Sequence, residues 1–325
     1  QQLERPVVRV EQKSGTTENL IAVSAVNGNI AWVGGLHGTY GHTTDGGATW
    51  KFSKLGVPDA DKLEFRDVYA VNAKTAYLLS VGPGHQGRIY KTDDAGEHWL
   101  PKYTNIDTAI VWRAIGFWTP DRGVAISDAI SGEFLTMLTE DGGWHWRRIP
   151  PLTLPGAMAD ERSPSSSGTI LMAGRSGRAW FGTTKGRVLR STNYGASWKL
   201  SWVPVTRTDT SGVVSLSFRD KVHGMAFAGI ATKTTDTLVA VTGDGGETWE
   251  ARAVAPPLNT IFAGSYVRDA GPSTVVIVGP QGASYSRNNG FKWERLDNDA
   301  YNSVAFATSA GWLVGPNGRI TRLSF

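Results

Sequence analysis

The stretch Thr43-Thr44-Asp45-Gly46-Gly47-Ala48-Thr49-Trp50 decides the fold, because the chain returns to its pattern five more times. Written as Ser/Thr-x-Asp/Asn-x-Gly-x-x-Trp, it recurs from Thr92 to Trp99, Thr139 to Trp146, Ser191 to Trp198, Thr242 to Trp249 and Ser286 to Trp293. The six tryptophans lie 49, 47, 52, 51 and 44 residues apart. A period of about 40–50 residues built on short strands is the mark of a β-propeller. Each position has a task. Asp45, Asp94, Asp141 and Asp244, with Asn193 and Asn288 in their place in two copies, accept backbone N–H groups and close a tight turn. The glycine two residues on allows a positive φ. The tryptophan buries a large ring and asks for one partner for its N–H. We therefore read these six Asp and Asn residues as structural.

Outward from the turns, each repeat carries four short strand patterns in the same order. In the first they fall at 21–26, 30–34, the return over 41–43 and 50–55. The C-terminus supplies only three, at 303–307, 311–314 and 319–323. The N-terminus supplies one orphan, Val7-Val8-Arg9-Val10-Glu11, with no such turn before it. Together they predict an all-β chain forming a single seven-bladed propeller over 1–325. Its last blade is closed by about 301–325 plus about 6–14, and such closure leaves no sheet edge open between the chain ends. A six-bladed ring with a C-terminal flap is the alternative.

Composition narrows the class. Apolar content of 40% and charged content of 19% are those of a globular protein. A net charge of +4 with no Lys/Arg-rich run argues against nucleic acid. With no cysteine, disulfides, thiolate catalysis and Cys-based metal sites are excluded. His37 and His85 lack the short spacing to other His, Asp or Glu that a metal site uses, so no metal and no cofactor are expected. No run approaches the ~18 apolar residues of a membrane span. The start at Gln1, without Met and without an apolar leader, is read as export to the periplasm or the outside, with a signal peptide removed. A monomer is expected.

In a four-stranded blade the innermost strand comes first. The Asp/Asn turns join strands three and four. The loops entering strand one, and those joining strands two and three, lie on the opposite face, and that face is where a site is expected. Aligning the blades puts Ile21, Arg66, Arg113, Thr169, Val214 and Tyr301 in one register at the start of the inner strands. Arg66 and Arg113 on neighbouring blades suit a carboxylate or phosphate, or pairing with Asp67 or Asp128. The same face should hold Asp128 and Glu133 around a turn at 129–132, His85, His37, and Asp160 and Glu161. Those last two lie in the Pro-rich segment 150–168, read either as a connector or as a loop over the ring mouth. A pair of these carboxylates, correctly spaced, would suit glycoside hydrolysis. Trp112 and Tyr301 are either packing residues or platforms for sugar rings.

The six turns resemble the Asp box of BNR-type propellers. Sialidases share that box, but Phe65-Arg66-Asp67-Val68 lacks the Ile-Pro of their early motif and a third arginine is missing. A broader resemblance is to the photosystem II stability/assembly-factor-like propellers and their exported bacterial relatives. It rests on Phe65-Arg66-Asp67-Val68-Tyr69-Ala70, Arg88-Ile89-Tyr90-Lys91-Thr92-Asp93-Asp94-Ala95-Gly96, Gly123-Val124-Ala125-Ile126-Ser127-Asp128 and Gly315-Pro316-Asn317-Gly318-Arg319-Ile320. The resemblance implies a scaffold with basic residues on one face, here Arg66 and Arg113. An oxidoreductase role, attached to some relatives, finds no Gly-x-Gly-x-x-Gly motif. The expected function is a non-catalytic binding or scaffold propeller. Its partner would be a protein or an anionic ligand held by Arg66, Arg113, Asp128, Glu133, Glu161, His85 and Tyr301. The alternative is a glycan-binding protein or glycoside hydrolase.

Overall fold

Turn residues at fixed places and short β-branched or aromatic runs between them leave the chain one regular solution, a hairpin every ten residues or so. The computed structural model describes residues 6–150, 153–164, 168–174, 176–207, 212–231, 233, 236–253 and 256–325. They form seven four-stranded antiparallel sheets arranged as blades of a ring. The inner strands are Leu20–Ala25, Phe65–Ala70, Trp112–Phe117, Leu171–Gly174, Val213–Phe218, Ala263–Tyr266 and Ser303–Phe306. Each packs against the next, and the seventh returns to the first. The protein is a seven-bladed β-propeller. Among the described residues no helix is long and apolar enough to cross a membrane.

Blade seven is shared by the two chain ends. Val8–Gln12 pairs antiparallel with Ile320–Ser324, from Val8 opposite Ser324 to Gln12 opposite Ile320. The six-bladed alternative is thereby excluded. Gln12 extends the closure. Its Nε2 donates to the Gly46 carbonyl of blade one at 2.8 Å, and its Oε1 accepts the indole N–H groups of Trp50 and Trp312.

The second strands are buried along most or all of their length because blades stack face to face, and Trp32, Tyr77, Trp180 and Trp312 are at most 2% exposed. Large rings enclosed on both sides supply most of the apolar area that holds neighbouring blades together. The polar tips of Trp32, Tyr77 and Trp180 are satisfied by the next blade, and that of Trp312 by Gln12 of its own blade. Tyr77 donates to the Gly142 carbonyl at 2.7 Å, and Trp180 to the Gly245 carbonyl at 2.7 Å.

The six turns share three hydrogen bonds. The Ser/Thr hydroxyl accepts the glycine N–H four residues on at 2.8–3.0 Å. It donates to the Asp or Asn Oδ1 at 2.8–3.0 Å. That Oδ1 accepts a further backbone N–H four residues on at 2.7–3.0 Å. Asp45, Asp94, Asp141, Asn193, Asp244 and Asn288 thus close turns. Gly143 shows why glycine is needed, since its φ is 77° and an added Cβ would lie 2.7 Å from the Tyr77 ring. The tryptophans fulfil only part of the expectation. Trp50, Trp198 and Trp249 find a partner for the indole N–H, whereas Trp99, Trp146 and Trp293 find none among the described residues.

Candidate functional site

The turns lie between strands three and four of their blades, so the other face of the ring is formed by the loops that enter the inner strands and those between strands two and three. Strand pairing sets the register there. Ala22 lies opposite Gly34, Asp67 opposite Leu79, Ala114 opposite Ile126, Ser215 opposite Phe227, Ala263 opposite Val278 and Ser303 opposite Val314. The residues just before these are Ile21, Arg66, Arg113, Val214, Phe262 and Asn302. In blades one, two, three and five that residue sits in a register shift of the ladder, between Leu20 and Ala22, Phe65 and Asp67, Trp112 and Ala114, and Val213 and Ser215. A bulge takes one residue out of the pairing and re-aims its side chain. Repeated in these four blades, it places Ile21, Arg66, Arg113 and Val214 at the start of the inner strands.

Tyr301 is not one of them. The expected register is one residue early in blade seven, and Asn302 holds the position. Tyr301 is fully buried, its hydroxyl 3.0 Å from Asp297 Oδ2 and 2.9 Å from Thr321 Oγ1, where burial pushes its pKa up to about 12. Trp112 is also fully buried, donating to the Tyr103 hydroxyl. Neither ring is a platform for sugars.

Arg66 and Arg113 do reach the mouth, each in an ion pair. Arg66 bonds Glu64 Oε2 at 2.7 and 2.8 Å, not its chain neighbour Asp67. Arg113 grips Asp128 Oδ2 at 2.6 and 2.7 Å, and the other oxygen of Asp128 accepts the Ser163 N–H at 2.8 Å. Asp67 faces another way. Strand alternation turns it toward blade three, where its Oδ2 accepts the Ile115 N–H at 2.8 Å. Full burial pushes its carboxyl up to about 8, against two backbone N–H groups, of Ile115 and Val68, that pull the other way. In blade five Ser215 occupies the same register and accepts the Gly264 N–H of blade six at 3.0 Å.

The described part of the 150–168 segment, residues 153–164, is not a loose connector. Glu161 is buried with its carboxylate on Arg187, Nε to Oε1 at 2.8 Å and the terminal nitrogen to Oε2, and it also accepts the Thr183 hydroxyl and the Met158 N–H. Arg187 further donates to the Gly156 carbonyl, and the Ala157 N–H donates to the Gly132 carbonyl, both at 2.8 Å. With Ala157 held on Gly132 of blade three, and both backbone groups of Arg162 paired with Thr184 of blade four, the segment is pinned across the mouth face between these two blades. Glu161 is therefore a structural anchor and not a presented group, because a carboxylate this enclosed is retained only where cations and N–H donors surround it. The serines at 165–167, which bear on whether the segment plugs the channel, lie outside the described residues.

The remaining expected residues sit apart on the same face. His85 is exposed in a short helical turn, Gly84–Gln86. His37 pairs with Glu18 at 2.8 Å. Asp160 is exposed at a positive φ of 56°. Glu133 is exposed at the start of its strand, and the turn beside it is tighter than 129–132, with Ser131 and Gly132 alone at its tip. The structure thus brings Arg66 to the mouth with Glu64, and Arg113 with Asp128, and leaves Glu133 and His85 peripheral to them.

Two cavities lie along the ring axis. One, of about 250 Å³, is the channel itself, walled by inner strands of all seven blades, with Asp67 among its lining residues. The other, of about 390 Å³, is at the mouth. Its apolar lining includes Ile21, Leu36, Val214, Ile261 and Phe262, and its polar groups include Asn19, Asn302, Glu64 and Arg66. Phe262, Asn302 and Glu64 were not singled out by the sequence, although Phe262 precedes its strand as Ile21 does.

A seven-bladed β-propeller with a recessed mouth is the class that fold and geometry define. No family model matches the sequence, and no curated protein matches it either. Solved structures do share the fold. YCF48 bound to a D1 peptide superposes with a TM-score of 0.67 at 17% identity, over 99% of this chain and 97% of that one. YCF48 from Cyanidioschyzon merolae gives 0.67 at 14% identity, over 97% and 98%. A catalytically inactive virginiamycin B lyase from Staphylococcus aureus with quinupristin gives 0.67 at 11%, over 98% and 100%.

Proposed function

We propose that this chain is a non-catalytic binding propeller that holds a protein partner on its mouth face. The observation that carries the reading is the set of four bulged positions, which places Ile21, Arg66, Arg113 and Val214 at the mouth, three of them lining a recessed pocket. A surface built from unlike residues on a rigid ring suits recognition of an asymmetric partner. A solved structure of the same fold, YCF48, is bound to a D1 peptide, which supports the choice of a protein as partner. The six turns are read with it as Asp boxes of the BNR type.

The anionic-ligand part of the expectation is less well supported, since both guanidiniums already meet carboxylates and a ligand would have to displace Glu64 or Asp128. Glycoside hydrolysis needs two carboxyl groups about 5–9.5 Å apart, free to face a sugar. Glu64, Asp128 and Glu161 are each in an ion pair. Export to the periplasm or the outside belongs to the same proposal, by likeness to exported propellers, and cell fractionation of the full gene product tests it.

The test is affinity capture from envelope extract of the source organism. The parent chain is run beside Arg66→Ala/Arg113→Ala, and both are checked for folding by circular dichroism. Capture of one protein by the parent, lost or weakened in the double variant, is the expected result. Equal capture by both would move the site off this face, and capture by neither would remove the protein-partner reading.

A further inference from the structure

The mouth pocket carries a more specific message than the face around it. Its charged groups cancel, since Glu64 and Arg66 form one ion pair, and the neighbouring Arg113 is neutralised by Asp128. Its lining includes Ile21, Val214 and Ile261, which are at most 5% exposed, and Phe262, which is partly buried. Desolvating a further charge here would meet no uncommitted opposite charge in compensation, whereas an apolar group gains by leaving water.

One wall is held in place by loop pairing. Ile230 and Thr260 form an isolated antiparallel bridge between blade five and the loop entering blade six. The Ile261 N–H donates to the Gly229 carbonyl and the Ala231 N–H to the Asn259 carbonyl, both at 2.8 Å. Ile230 caps this wall with 39% of its surface exposed, one of few large apolar side chains so exposed among the described residues. The pocket is thus framed before any partner arrives, which lowers the ordering cost of binding.

The rim has a matching polar asymmetry. The Asn302 amide donates to Asn19 Oδ1 at 2.7 Å and to the Leu20 carbonyl at 2.8 Å. These two bonds fix both carboxamides. They leave one donor, Asn19 Nδ2, and one acceptor, Asn302 Oδ1, without a hydrogen bond among the described residues. One donor and one acceptor on two joined side chains of the same lining complement a peptide group, which offers one C=O and one N–H.

We propose that this pocket seats one uncharged apolar side chain of an extended partner segment, with the adjoining peptide group held by Asn19 and Asn302. The proposal rests on the protein-binding reading and names what that face selects. A peptide is the occupant because the pocket joins an apolar, charge-neutral floor to a rim that bonds a neutral amide. About 390 Å³ has room for one large side chain together with its adjoining peptide group.

The experiment uses the whole chain as bait for a displayed library of random dodecapeptides. The strongest sequences are then made as synthetic peptides with acetylated and amidated ends, so that no terminal charge contributes. Leu, Ile, Met or Phe should be enriched at one position with uncharged neighbours. Affinity should change little between about 50 and 500 mM NaCl, settings chosen to screen surface charge. Ile230→Glu, at an exposed position where folding is not at stake, should weaken binding at least ~10-fold. Asn302→Ala should weaken it less, and Val214→Asp, if folded, more. Enrichment of acidic residues, with affinity falling steeply in salt, would overturn the pocket while leaving a protein-binding face. Peptides that bind Ile230→Glu as well as the parent would also overturn it. If no peptide is enriched, both this proposal and the protein-binding reading fail.

Discussion

On one face of the ring, six turns repeat the same three hydrogen bonds with almost the same residues. On the other, one register position is filled by Ile21, Arg66, Arg113, Val214, Phe262 and Asn302 in six of the blades. The first face repeats because it solves one problem, that of closing a turn and docking it on the preceding blade. Tyr77 and Trp180 reach the carbonyls of Gly142 and Gly245 in that way. The second face does not repeat, although four of its blades share the same bulge. Regular backbone with irregular side chains is what a recognition surface on a repeat scaffold requires. Sameness marks structural positions here, and departure from it marks candidates for function.

The turn aspartates and the buried Asp67 of the channel wall titrate in opposite directions. In the turns, Asp45 is held at about 2 by the Thr49 hydroxyl and N–H and by the Thr43 hydroxyl. Asp94 is held at about 2 by the His98 N–H and ring and by the Thr92 hydroxyl. An unfolded Asp titrates near ~3.9. The support from these turns is present above that value and is lost as pH falls through about 2. Asp67, raised to about 8 by burial, does the reverse. Its contribution is whole below about 4 and is lost as pH rises through about 8.

The largest expected effect breaks the mouth face at its anchor. Glu161→Ala leaves the Arg187 guanidinium enclosed without its carboxylate, and we expect a loss of roughly 3–5 kcal/mol in urea unfolding. Next comes the exchange of Asp67 for the residue that blade five uses in the same register. Asp67→Ser keeps a hydroxyl for the Ile115 N–H, and it should stabilise the fold at about pH 9 by roughly 2–4 kcal/mol while flattening the alkaline limb of the stability curve. Thermal melts across about pH 5–9 read this directly, and an unchanged alkaline limb would refute it. A smaller effect belongs to the turns. Thr139→Val removes the acceptor of the buried Gly143 N–H and should cost about 1–3 kcal/mol, with equal losses expected at the matching positions Thr92 and Thr242. The smallest is Arg66→Ala. Its pair with Glu64 is partly solvated, so stability should change by about 1 kcal/mol or less even where binding is affected.

The fold was legible because a turn that must reverse the chain in few residues permits few residue types, and six copies gave the period. The seventh blade was legible from its absences, three strands at one end and one at the other. The mouth was legible in part. Aligning strand starts placed Arg66 and Arg113 correctly relative to Asp67 and Ala114. It failed at Tyr301 because blade seven is closed by the two chain ends and has no turn motif to set its register. The partner of Arg113 was among the expected pairs, while that of Arg66 was not. Alternation along the strand sends Asp67 away from its neighbour and leaves Glu64 on the same side. The Glu161 anchor was hidden for a different reason, since its partner Arg187 is 26 residues on, in another blade.

The division of labour between the two faces is tested most directly by site-specific photo-crosslinking in the source organism. A photoreactive side chain is placed either at Ile230 on the mouth face or at Thr44 on the turn face. Both residues are exposed, so neither placement threatens the fold. We expect a discrete crosslinked protein from position 230 and none from position 44. A discrete adduct from position 44 alone would contradict that division and make the repeated face the working one.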